Sequence, residues 1–407
     1  MQLVRLSEEM GFPFAPAAIP LFKERLEIIG PDETALRATL LCGLSLAFIH
    51  GGLRNRGLEC AREVVAMARR LGERELIAFG LHAVCSALQL PEHASERLGY
   101  AAEILEAGKA TNSTAMLHRA FWCQIYSALE IGDKTTAKRG IEGYATLEET
   151  IRNPFHSCLL KNFQACEACL EGRFVDFERI AGEGFAIGQH LEVENAAGIF
   201  GVQMFTLRRE QGRLHEIEPL LRHFVQTPEG ANAWRPGLAL IYSELGRQAE
   251  ARVQFERLAQ DDFIELPRDA NLPGCLTYLA DACTFLGDAA RALTLYELIL
   301  PYKQVNVLIA SGSACYGSAS RYLGALATIM RRWDHTEHHF QEALAMNANM
   351  GARPWVAHTQ YQYAAMLLSR DQRGDRNQAA TLLREALATA RELGMGALEH
   401  RITSGSP

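Results

Sequence analysis

The sequence lacks any apolar run long enough to cross a bilayer. Its longest, Leu40 to Ile49, is ten residues interrupted by Cys, Gly and Ser, about half of what a spanning helix needs. It also lacks an excess of positive charge: 41 Lys and Arg face 48 Asp and Glu, for a net charge of −7. Nothing draws a phosphate backbone over long range, so neither a nucleic-acid nor a membrane partner is expected. The first ten residues carry Glu8 and Glu9 where a secretory signal builds its apolar stretch, which makes the cytoplasm the expected compartment. There is no G-x-x-x-x-G-K-[ST] phosphate cradle, no G-x-S-x-G elbow and no H-E-x-x-H pair. Neither an enzyme nor a cofactor is therefore expected. Alternating strand-type patterning is missing as well, and no Pro-, Gly- or Ser-rich linker divides the chain. At 407 residues, length alone suggests two or three domains of about 150 residues. Without a linker the expectation is instead one continuous array over 1–407. What is present is apolar residue, 48% against 22% charged, enough for a large core.

The ten cysteines sit mostly inside apolar runs and read as small buried hydrophobes. Only Cys166-Glu-Ala-Cys169 has chemically meaningful spacing. No second ligand pair follows it, so helix packing, with i and i+3 on one face, is the expected role.

What organises the chain is a recurring turn of glycine with a polar neighbour. It falls at Gly132, Gly172, Gly212, Gly246, Gly287 and Gly374, at intervals of 40, 40, 34, 41 and 87 residues. The long interval is two units, with Arg331-Arg332-Trp333-Asp334 in place of the missing glycine. His50-Gly51-Gly52 is a further turn, and the unit after it is degenerate around Gln89-Leu90-Pro91. Between turns the apolar spacing is helical. Ala251, Phe255 and Leu258 fall at i, i+4 and i+7, and so do Ala292, Tyr296 and Ile299, Thr336, Phe340 and Ala343, and Ala379, Leu383 and Ala386. The first unit carries Gly57, Ala61 and Val64 in these places, and Ala239, Ala280 and Gly324 hold the small position of the preceding helices. Pro154, Pro301, Pro354, the segment Asp261–Pro273 and the segment Thr227–Asn232 read as breaks between units.

This small–large–small order resembles the tetratricopeptide repeat. The resemblance implies an all-α, right-handed superhelical solenoid of about eight or nine helix-turn-helix repeats. Repeats are more degenerate over 1–190 and clearer over 191–400, and 401–407 is a tail. A narrower resemblance rests on Asp262-Phe-Ile-Glu-Leu-Pro-Arg-Asp-Ala-Asn271, Ala282-Cys-Thr-Phe-Leu-Gly-Asp288, Leu295-Tyr-Glu-Leu-Ile-Leu-Pro-Tyr302, Gly317-Ser-Ala-Ser-Arg-Tyr-Leu-Gly324 and Met350-Gly-Ala-Arg-Pro-Trp355. These are similar to the C-terminal repeat region of bacterial STAND-type signalling ATPases, which carry a nucleotidyl cyclase or a LuxR-type DNA-binding domain. That region has no catalytic residues to carry over.

Other constellations have plain readings. His335, His338 and His339 with Glu342 are metal-like in type, but the repeat register turns them to the solvated face, so no metal site is expected. Gly198 and Gly201, and Gly312 and Gly317, follow no strand and read as close helix packing. Arg208-Arg209 with Arg213, and Arg331-Arg332, are flanked by acids and read as solvated faces. The working surface of a helical solenoid is its concave groove. The register projects Thr206, Arg209, Asp281, Thr284, Arg321, Thr328, His358 and Tyr361 into it. Arg321 and Tyr361 are suited to grip a peptide carboxylate; alternatively Arg321 pairs with Asp281 and ties neighbouring repeats. The expected function is a non-catalytic scaffold that binds a protein or peptide as the regulatory arm of a signalling ATPase. The alternative is a solenoid binding a small inducer in a lumen lined by Trp234, Trp355, Tyr361 and Arg321.

Overall fold

A computed structural model describes residues 16–191, 193, 196–226, 231–266, 268–310 and 312–405. The chain is all-α, 81% helical, with twenty α-helices and a single strand pair among the described residues. The helices are α1 Ile19–Ile29, α2 Ala35–His50, α3 Arg54–Leu71, α4 Arg74–Ala87, α5 Ala94–Thr111, α6 Thr114–Ile131, α7 Lys134–Ile151, α8 Pro154–Glu171, α9 Phe174–His190 and α10 Ala196–Gln211. There follow α11 Glu218–Phe224, α12 Ala231–Glu244, α13 Gln248–Ala259, α14 Leu272–Leu286, α15 Ala289–Ile299, strands β1 Asn306–Ile309 and β2 Ala314–Ser318, α16 Ser320–Ile329, α17 Trp333–Met350, α18 Arg353–Arg370, α19 Asp375–Leu393 and α20 Gly396–Ser404. The segment expected as a tail from residue 401 is thus helical through Ser404.

The turns lie where the glycines place them. Gly132 and Gly172 leave their helices at φ 79° and 80°, left-handed conformations that cost glycine nothing and let the preceding carbonyls be capped. Gly212, Gly246 and Gly287 do the same. In the turn without glycine, Arg331 itself takes φ 57°. Asn112 and Arg152 do likewise, at φ 51° and 54°, and these turns carry no glycine signal. Part of the Thr227–Asn232 break lies outside the described residues.

By its own contacts the chain divides into two compact units. Unit 1 takes the described residues up to Leu129, then Asp133–Leu160 and those from Ala186 to 193; unit 2 takes Glu130–Gly132, Lys161–Phe185 and the described residues from 196 onward. In unit 1, α2 packs against α1, α3 and α4. Its core joins Leu41, Leu46 and Ile49 to Val64, Phe79, Val84 and Ile104. Thr34 starts α2 by accepting the backbone N–H of Arg37 at 3.1 Å, a cap worth about 1 kcal/mol.

In unit 2 the expected stripes are buried, except that Leu383 is half-buried. Phe255 and Phe340 are fully buried, as are Ala251, Ala292, Thr336, Ala343, Ala379 and Ala386. Each buried ring contributes roughly 2–3 kcal/mol. Sequence neighbours pack together through α12 to α19, and α20 returns to α10.

The largest departure from the sequence reading is the hairpin β1–β2. Its strands pair antiparallel, with Leu308 opposite Cys315 and Ile309 opposite Ala314, and every residue of both is buried. It packs against α10, α14, α17 and α18. Val307 on one strand faces both Tyr316 and Gly317 on the other, a bulge that Gly317 permits with φ 67°. Gly312 and Gly317 therefore belong to a hairpin, and Gly317 also packs closely against Asn347 and Trp355 of α17 and α18. Around Gly198 and Gly201 there is open space where a side chain would stand, so the close packing expected there is absent. A buried two-stranded sheet must satisfy its outer edges. Here side chains do part of this: Ser318 N–H donates to Asn347 Oδ1 at 2.9 Å, and Asn162 Nδ2 donates to the Gly312 carbonyl at 3.3 Å.

Candidate functional site

The residues projected into a groove converge inside unit 2. Arg209 lies near the C-terminus of α10, Asp281 in α14, Arg321 at the start of α16, and His358 and Tyr361 in α18. Arg209, Arg321 and His358 are buried, Tyr361 half-buried, and Arg321 is only 2% exposed. They do not line an open groove, for two physical reasons: carboxylates from neighbouring helices neutralise them, and the hairpin packs over them.

Arg209 is the hub. Its Nη2 donates to Glu244 at 2.9 Å and to Asp281 at 2.6 Å, and its Nε donates to Glu244 at 3.1 Å. Burial works against its charge, but Glu244 and Asp281 outweigh this and hold its pKa well above the ordinary value. Burial likewise opposes ionisation of Glu244; Arg401 and Arg209 overcome it and pull that carboxyl down to about 2. Arg401 Nη1 reaches Glu244 at 3.2 Å and its guanidinium lies 5.7 Å from the Tyr361 ring. His358 Nε2–H donates to Glu210 at 2.8 Å. Burial keeps the imidazole below its usual pKa, opposed by Glu210.

The hairpin contributes Tyr316. Its hydroxyl bonds Thr206 at 2.9 Å and Tyr278 at 3.2 Å, and its ring lies 5.0 Å from Trp355. The Arg321 guanidinium stacks 4.0 Å over the Tyr322 ring and lies 6.0 Å from Trp355. Its Nη1 donates to Gln362 at 3.2 Å, while Asp281 stands 3.9 Å away. The alternative reading, a tie between Arg321 and Asp281, is thus present in weak form, since Asp281 is committed to Arg209.

Several buried polar atoms in this cluster make no hydrogen bond to another protein group within ordinary geometry: Arg321 Nε and Nη2, Arg209 Nη1, Trp355 Nε1, Arg401 Nε and Glu210 Oε1. Leaving one such buried group unmade costs about 1–3 kcal/mol, and native interiors almost always satisfy them.

Other projected residues do less. Thr284 and Thr328 bond their own helix carbonyls at 2.8 Å. Trp234 packs on Phe224 at 5.7 Å. Arg208 and Arg213 bond Glu178 and Glu216, but Arg209 is not on a solvated face. His335 and His338 are exposed. His339 instead is buried, bonding the Tyr296 hydroxyl at 2.9 Å, because it neighbours the Phe340 core position. Among the described residues no group of three or more His, Cys, Asp or Glu is placed to hold a metal ion. Cys166 and Cys169 are buried on α8, and burial raises both thiols well above their ordinary pKa.

Unit 1 holds a separate polar cluster that the sequence reading missed. His118 Nε2 donates to Glu148 at 2.7 Å, Ser157 Oγ donates to the same carboxylate at 3.0 Å, and Tyr144 pairs with His156 Nδ1 at 3.1 Å. The two imidazoles stack with centroids 3.5 Å apart. Glu148 thus accepts from both His118 and Ser157, and the carboxylate rather than an imidazole is the serine's acceptor.

Glu210, Glu244, Tyr316, Trp355, Gln362 and Arg401 complete the unit 2 cluster. No helix among the described residues is long and apolar enough to cross a membrane. No protein-family model matches the chain, and no curated protein matches it either.

Proposed function

We propose that the chain is a non-catalytic, TPR-like scaffold, a right-handed solenoid of about eight or nine repeats, acting in the cytoplasm as the regulatory arm of a STAND-type signalling ATPase or transcriptional regulator. The recurring glycine turns and the small–large–small helix stripes support the repeat assignment. The observation that carries the sensing role is that Arg209, Asp281, Arg321 and His358, from four different helices, meet in one buried cluster with unpaired donors. An occupant there touches several repeats at once, so its binding energy biases their packing as a set. Burial favours a small inducer over a protein or peptide, whose side chains need an accessible surface. The peptide reading is therefore second.

A thermal-shift screen of small metabolites against the full chain tests this. Stabilising compounds whose effect is lost in Arg321→Lys and Asp281→Asn support it. Absence of any such compound, or equal effects in all three proteins, overturns it. A P-loop ATPase encoded beside this chain supports the regulatory assignment, and consistent absence of one counts against it.

A further inference from the structure

We propose that unit 2 carries a second ligand site, a surface cleft that takes a small phosphate monoester bearing a flat aromatic group. It shares no residue with the Arg209–Arg321 cluster.

The cleft has a volume of about 430 Å³, within the range of small-molecule sites. One wall is the α16–α17 turn and the start of α17, from Arg331 to His335; the other is Arg370 and Gln372 at the end of α18. Trp333 is half-buried and packs on the core around Phe340 and Tyr363, which fixes an aromatic surface on the cleft. Arg370 donates through Nε and Nη2 to Asp375 at 2.9 Å and through Nη1 to Glu337 at 2.8 Å. It is thus a rigid, neutralised wall. Arg331 and Arg332 differ: both are exposed, and neither forms an ion pair with another described residue. Asp334 is the one carboxylate in the lining. Two adjacent guanidiniums suit the three terminal oxygens of a phosphate, whereas the two oxygens of a carboxylate need only one.

Arg331 also occupies a slot that glycine holds elsewhere in the chain. Its N–H bonds the Thr328 carbonyl and the next N–H bonds that of Ala327, the pattern Gly172 and Arg173 make with Cys169 and Ala168. Its φ of 57° is left-handed, like those of Gly132, Gly172 and Gly212, and a β-carbon there brings strain that glycine avoids. The turn gains nothing from the arginine that glycine would not supply. What the arginine adds is a cation on the cleft.

The full chain is titrated with phenyl phosphate; inorganic phosphate, benzoate, phenol and a glutamate-rich peptide are comparators at matched ionic strength. Calorimetry is expected to show phenyl phosphate binding roughly fivefold or more tighter than any comparator. Tryptophan fluorescence should change saturably, and that change should vanish in Trp333→Phe. In Arg331→Gly the affinity should fall roughly fivefold or more while the melting temperature holds or rises. Arg332→Gln should weaken binding in the same way, and Arg179→Gln, a surface arginine of α9, should not. Phenyl phosphate binding no tighter than benzoate or inorganic phosphate overturns the proposal, as does tighter binding by the peptide. Unchanged affinity in Arg331→Gly also overturns it. If Arg331→Gly melts lower than wild type, Arg332→Gln decides, since it leaves the turn backbone unaltered: unchanged affinity there overturns the site.

Discussion

His358 and Glu210 meet at 2.8 Å although 148 positions separate them in sequence. The pair joins α18 to α10 at the same place where α20 packs against α10. Removing the imidazole donor strands a buried carboxylate. His358→Ala is expected to destabilise unit 2 by about 2–4 kcal/mol, and His358→Gln, which keeps a donor, by about 1 kcal/mol. Urea unfolding followed by hydrogen exchange in α10 and α18 measures both, and equal stability of His358→Ala and wild type would falsify the pair's role.

Asp281 stands between two arginines at unequal distances, 2.6 Å from Arg209 and 3.9 Å from Arg321. Double-mutant cycles separate them. The Arg209–Asp281 coupling should exceed about 1.5 kcal/mol, and the Arg321–Asp281 coupling should stay below about 0.5 kcal/mol. The reverse ranking means that α14 and α16 are tied through Arg321.

Two glycines with similar backbone but different surroundings make a matched test. At Gly246, φ 70°, a Cβ meets nothing within 4 Å, so Gly246→Ala should cost only the conformational penalty of about 1 kcal/mol. At Gly317, φ 67°, it meets Trp355 Cβ at 2.8 Å and Asn347. Gly317→Ala should cost upward of 3 kcal/mol through overpacking and strain together. Similar melting temperatures for the two variants would contradict the bulged hairpin.

Unit 1 should weaken in mild acid. Burial depresses the histidines His82 to about 3, His118 to about 4 and His156 to about 3. Each has a folded pKa below the unfolded value of about 6.5, so above that pH neither state binds the proton. As pH falls from about 6.5 toward 3, the unfolded chain takes up protons that the folded one refuses, and stability is lost. The expected loss is on the order of a few kcal/mol, read as falling unfolding midpoints between pH 7 and 4. His82→Gln and His156→Gln should flatten the slope; an unchanged slope in both removes these residues as its source.

Thiol reactivity should follow burial. Eight of the ten cysteines are buried, while Cys60 and Cys158 are partly exposed. Burial also pushes Cys275, Cys283 and Cys315 up to about 12, which suppresses the reactive thiolate. Iodoacetamide on the native chain should label Cys60 and Cys158 slowly and the rest only after denaturation. Fast labelling of Cys315 means that the hairpin opens.

The helices were legible because burial in a helical pair leaves a period in the sequence: Ala251, Phe255 and Leu258 are recoverable from spacing alone. The hairpin was not, because a strand buried on both faces has no alternation to read. Its signal was the short apolar run Asn306-Val-Leu-Ile309 followed by Ser and Gly, which a helix also accommodates. The cluster residues were named from register, but their burial was not foreseen. Periodicity says which side of a helix a residue occupies and not what packs onto that side. Arg401 lay in the expected tail, and Tyr316 in a segment read as helix packing. Neither position draws attention until the fold brings it to Arg209.

A plain chain of stacked repeats tolerates gain or loss of a unit, since each touches only its neighbours. Unit 2 lacks that freedom, because a hairpin ties its helices across long stretches of sequence. With Tyr316 seated against Thr206 and Trp355, and Asn162 reaching Gly312, the hairpin fixes the spacing of the helices it touches. Inserting or deleting a helical pair between α10 and α18 would pull the hairpin off its contacts, so the number of helices between them is fixed by the strands they enclose.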